Sequence, residues 1–118
     1  MADVYAIALL AVIGFQIALI FGAPWGRITQ GGQVDGPLPP SGRVIAGISI
    51  AILVGMALAI LSAEGRWPNW PAWTGWAAVG VNAISMVLNW ITPSRAERML
   101  WGPVMTALCV LAVAIVWR

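Results

Sequence analysis

The side chains able to do chemistry are few and scattered. The acids are Asp3, Asp35, Glu64 and Glu97, and no two stand at the spacing that puts metal ligands on one helix face. The chain has no His, which excludes imidazole ligation of zinc or haem and any Ser–His or Cys–His couple. Cys109 is the one Cys, so neither an internal disulfide nor a CxxC redox pair can form. Its place deep in an apolar run marks it as an inert packing residue. All six basic residues are Arg, so no Lys is present to form a Schiff base or to follow Gly31-Gly32 as in a phosphate loop. These absences lead us to expect no catalytic residue, no metal, no cofactor and no enzyme activity.

The elements that carry these residues are apolar. Of 118 residues, 61% are hydrophobic and 8% are charged, against about a quarter charged in a soluble domain. So few charges cannot cover a water-soluble surface. The net charge of +2 is spread along the chain and gives no reason to expect nucleic acid. Four apolar stretches stand out, at about 4–21, 44–63, 72–91 and 97–117. Each approaches the ~20 residues that cross a bilayer core as a helix. Four strands are too few for a membrane barrel. The expectation is an all-α, membrane-spanning four-helix bundle forming a single transmembrane domain over 1–118. The first stretch has Asp3 where a signal peptide carries positive charge, and reads as an uncleaved helix.

The connections set the arrangement. Loop one, 22–43, holds six Gly and four Pro. Gly31-Gly32 between short β-capable runs predicts a small β-hairpin over 27–35. Pro37, Pro39 and Pro40 make a stiff approach to helix two. Loops two and three are short, so neighbouring helices are antiparallel. Ser94 and Glu97 have capping-box spacing at the head of helix four, and Pro103 sits inside that helix, where it favours a kink.

Three patterns remain. Gly47, Ala51, Gly55, Ala59 and Ala63 form a small-residue ridge along helix two, packing either within the monomer or against another subunit. Gly75, Ala78, Asn82, Ser85 and Asn89 form one seam of helix three, and its polar members could bond Gln16 and Thr106. That seam is either interhelical glue or a neutral polar path for a solute or ion. Trp67, Trp70, Trp73 and Trp76 collar the start of helix three at the headgroup level. Trp25, Arg27, Arg43, Arg95, Arg98 and Trp101 cluster at the other end, as a surface for anionic lipid or a partner.

Among four-helix membrane families, the small multidrug antiporters depend on a membrane-embedded Glu in helix one, where this chain has Gln16. The thiol-oxidising quinone proteins need Cys pairs, and the dual-topology fluoride channels a Phe-rich pattern; neither is found here. The segments Gly22-Ala23-Pro24-Trp25-Gly26, Leu38-Pro39-Pro40 with Arg43, and Asn89, Ser94, Glu97-Arg98, Trp101 and Pro103 together resemble a loosely defined group of small bacterial integral membrane proteins. The resemblance spans nearly the whole chain. It implies a bacterial inner membrane and the bundle, and no chemistry. The function expected is that of an accessory or scaffold subunit, bound to lipids and to other membrane proteins or itself; the alternative is a small oligomeric channel or transporter. Arg27, Arg43, Arg95 and Arg98 against Arg66 and Arg118 place loops one and three in the cytoplasm and both termini outside.

Overall fold

A computed structural model describes residues 1–117. Its four helices are α1 (Ala2–Ile20), α2 (Pro40–Ala63), α3 (Ala72–Ile91) and α4 (Arg95–Val116). All four are long and apolar enough to cross a membrane, and the molecule measures 42 × 25 × 19 Å. It is a four-helix bundle. Buried positions in α1, namely Ala2, Tyr5, Leu9, Val12 and Leu19, recur at steps of three, four and seven, the seam of a coiled-coil-like contact. Ile7, Leu10, Ile48 and Val110 are exposed on outer faces, where a bilayer replaces water as the solvent.

The larger of two buried clusters lies toward the end that carries the N-terminus and loop two, and a smaller one, Leu19, Leu38 and Ala46, lies under loop one. Tyr5, Leu9, Met56, Ala59, Ile60, Ala78, Leu108, Ala112 and Ile115 all belong to the larger cluster. Polar contacts fasten the same end: the Ala2 N–H donates to Glu64 Oε2 at 3.1 Å, and Arg66 pairs with Asp3. Gly75 is buried against Ala63 and Val116, so α2, α3 and α4 meet closely there. The four Trp of the expected collar are all exposed at this end.

One boundary and one loop element differ from the sequence reading. Helix two starts at Pro40 instead of about 44, because a proline in the first turn gives up no helical hydrogen bond. The hairpin over 27–35 is not formed, and no strand exists among the described residues. Two 3₁₀ turns, Gly26–Ile28 and Gln30–Gly32, stand in its place. The loop closes on itself through the Gly26 N–H to Gly36 O bond at 2.9 Å. The carbonyls of Arg27 and Ile28 turn toward α4 instead of toward a facing strand. Ser94 Oγ donates to Arg27 O at 2.5 Å, and Trp101 Nε1 donates to Ile28 O at 2.7 Å. A two-stranded ribbon is marginal alone, and these bonds to a rigid helix outcompete its ladder.

Candidate functional site

Away from the core, α2 and α3 part and leave a cavity of about 620 Å³. Ser49, Ile52, Leu53 and Met56 of α2 face Val81, Ser85, Leu88 and Asn89 of α3 across it. Ile52, Val81 and Leu88 line the cavity and are also exposed, so it opens sideways between the two helices. Its depth along α4 runs from Glu97 to Met105, about 12 Å at the helical rise. Beyond Met105 the packed core closes it.

Loop one caps this cleft. Thr29, Gln30 and Gly31 line its roof. Gly31 and Gly32 have φ of 83° and 67°, and a Cβ on Gly32 would lie 2.4 Å from Ser94 Cβ. Only glycine holds that turn against the head of α4. The turn aims the Gly31 N–H at Glu97 Oε2, 2.9 Å away. Ser94 caps α4, its Oγ accepting the Glu97 N–H at 3.2 Å. The reciprocal half of the expected capping box is absent, since the Glu97 side chain serves loop one and the Ser94 N–H finds Thr92 Oγ1 at 3.3 Å. Glu97 is 7% exposed and lines the cavity. Aromatic side chains flank it: Phe15 meets Trp101 edge-on at 4.9 Å and stacks on Trp25 at 5.4 Å.

The polar seam divides. Asn82 is 1% exposed; its Oδ1 accepts from Tyr5 Oη at 2.8 Å and its Nδ2 donates to Met105 O at 3.2 Å. It thus joins α1, α3 and α4, with Tyr5 in the role expected of Gln16. Gln16, Ser85 and Asn89 are half-buried around the cavity. Asn89 Nδ2 bonds Ser85 O of its own helix at 2.7 Å. Thr106 stands apart from the seam: its Oγ1 accepts from Trp90 Nε1 at 2.8 Å and donates to Gly102 O.

The ridge of α2 divides as well. Ala59 is buried and Ala63 lies against Gly75, whereas Ala51 is exposed and a Cβ on Gly47 or Gly55 would meet nothing within 4 Å. The cause is geometric. Four residues overshoot one turn by about 40°, so a straight ridge from Gly47 to Ala63 sweeps about 160° around the axis. One end faces the core and the other faces away.

The Arg cluster is largely engaged. Arg43 donates to Leu38 O at 2.9 Å and to Ile20 O at 3.3 Å, closing the C-terminal end of α1. Arg98 donates to Thr92 O at 2.6 Å, and Arg27 pairs with Asp35 at 3.4 Å. Trp25, Arg27 and Arg95 form the outward part of the surface, while Trp101 is half-buried under loop one. Arg118 lies outside the described residues. Among these residues no three metal-ligating side chains converge.

Sequence reasoning placed Glu97 at a helix head and left it there. No family model, curated protein or solved structure matches this chain. What stands of the resemblance is therefore its architecture, a small protein of four apolar helices.

Proposed function

We propose that the protein is a non-enzymatic accessory or scaffold subunit of a bacterial inner membrane, which packs against another membrane protein or a second copy through the open half of the α2 ridge. The observation that carries this reading is the empty space in front of Gly47 and Gly55, with Ala51 exposed between them. Small residues let helix backbones approach closely, and in lipid that approach, more than any hydrophobic drive, supplies association. The monomer makes no use of it at these positions.

Gly55→Leu tests the reading. The added side chain has room in the monomer and replaces a helix-interior glycine, so the melting temperature of the detergent-solubilised monomer should not fall below the wild-type value. The complex isolated in mild detergent should fall apart. Ala59→Leu should instead damage the monomer itself, because Ala59 is buried. A Gly55→Leu protein that keeps the native particle intact would remove the ridge from the interface.

The proposed orientation puts loops one and three in the cytoplasm, supported by the four Arg at that end. Asp35 is well exposed in loop one, and Asn69 in loop two. In a chain whose Cys109 is replaced by Ala, Asn69→Cys should react with an impermeant maleimide added to spheroplasts and Asp35→Cys should not. The reverse pattern would invert the topology.

A further inference from the structure

Three of the four acids have a cation within salt-bridge distance, although they are better exposed than the fourth. Asp3 pairs with Arg66, Asp35 with Arg27, and Glu64 with the N-terminal amine. Glu97, the buried one, has none among the described residues. Its carboxylate accepts one hydrogen bond there, from the Gly31 N–H to Oε2, while Oε1 has no protein partner and is not sealed from the surface. A buried carboxylate is ordinarily paired, because the interior does not solvate it. This one lines a cavity that opens to the bilayer, and among the described residues it is the only charged side chain on that cavity's walls. Arg43 and Arg98 donate to backbone carbonyls and do not line the cavity.

We propose that the cleft binds an amphipathic cation, a protonated amine on an apolar body, with the ammonium against Glu97 and the body between α2 and α3. The volume lies within the ~300–1,000 Å³ usual for small-molecule sites. Phe15 and Trp101 line the cavity beside the carboxylate, and aromatic faces attract ammonium groups. Ile52, Leu53, Met56 and Leu88 supply an apolar slot. The placement suits such a guest. Glu97 stands in the first turn of α4, at the level where amphipathic amines collect in a bilayer, and the sideways opening admits the body from lipid. An anion would meet the carboxylate and no compensating Arg. A free lipophilic amine and the ethanolamine head of a phospholipid present the same chemistry.

The test uses the full chain in phosphatidylcholine nanodiscs. The probes are 1-pyrenylmethylammonium and neutral 1-pyrenemethanol, with partition into protein-free nanodiscs subtracted. The amine should bind the wild type saturably. Glu97→Gln keeps an oxygen for the Gly31 N–H and should melt with the wild type, yet bind the amine at least tenfold more weakly. Pyrenemethanol should not distinguish the two. Leu88→Arg, an exposed position on the cleft wall, puts a cation in the slot without touching Glu97 and should also weaken amine binding. Equal amine affinity in wild type, Glu97→Gln and Leu88→Arg would overturn the proposal, as would absence of saturable binding to the wild type. Competition by added phosphatidylethanolamine would identify lipid as the amine's source, and lack of competition a free amine; either result upholds the carboxylate as the recognition element. Gly55→Leu should bind the amine as the wild type does, which keeps this outcome separate from that of the assembly reading.

Discussion

Gly26→Ala is expected to lower the melting temperature of the bundle. The residue is buried, and an added Cβ would sit 2.3 Å from Val34 O and 2.6 Å from Gly36 O. Both are backbone atoms, and the Gly36 oxygen also accepts the Gly26 N–H at 2.9 Å. No rotamer change relieves such a contact, so the closing bond of the loop must stretch or break. Overpacking of this kind costs about 1–3 kcal/mol. The loss should spread to the cleft, because the same loop presents the Gly31 N–H to Glu97. Gly14→Ala is the control. It lies inside α1 with open space where its Cβ would go, and should raise stability by about 0.5–1 kcal/mol through helix propensity. Thermal unfolding of the two variants in one detergent checks the contrast. Equal melting temperatures would mean that loop one contributes nothing to the stability of the bundle.

The bundle was legible because lipid imposes a strict rule: a span must satisfy its own backbone, and the only cheap solution is a long apolar helix. Hence α3 runs from Ala72 to Ile91, the expected bounds. The hairpin failed because turn chemistry at Gly31-Gly32 is local, while the groups that shape the loop are not. The partners of Arg27, Ile28 and Gly31 lie 66 to 73 residues further along the chain. The contact of Glu97 with loop one went unread for a related reason. Its spacing from Ser94 reads as a cap, but it also stands four residues before Trp101 and eight before Met105. That line continues into the buried stripe of Leu108, Ala112 and Ile115. A carboxylate at the head of a core stripe is a legible signal. Gln16 carries the same one, falling between Val12 and Leu19 in the seam of α1. Where the stripes of α1, α3 and α4 turn polar, at Gln16, Ser85, Asn89 and Glu97, the cleft begins, while α1 and α2 still meet through Leu19, Leu38 and Ala46. How far α2 swings from α3 depends on the drift of an i+4 ridge around a straight helix, which pattern alone does not show.

The remaining large effect is expected where the cleft ends and the core starts. Asn82→Ala removes the acceptor of Tyr5 Oη and the donor to Met105 O. Tyr5 is fully buried, so its hydroxyl is left without a partner and without water. An orphaned buried donor costs about 1–3 kcal/mol, and the shortened side chain adds a void. Tyr5→Phe deletes the hydroxyl but keeps the ring, leaving Asn82 Oδ1 as the orphan. The double variant has neither group, so the cycle isolates the bond between them. In membranes such couplings average about 0.6 kcal/mol and reach about 1.7. We expect a value toward the upper end, because both side chains are buried and the bond ties α1 to α3 across the core. Asn89→Ala should cost far less. Asn89 is half-buried at the cleft and its amide bonds a carbonyl of its own helix, which keeps its helical partner. Additive losses for Tyr5→Phe and Asn82→Ala, within about 0.3 kcal/mol, would show that shape alone joins the two helices there. A cost for Asn89→Ala equal to that of Asn82→Ala would instead move the structural joint into the cleft, and the cleft would lose its claim to be a free binding volume.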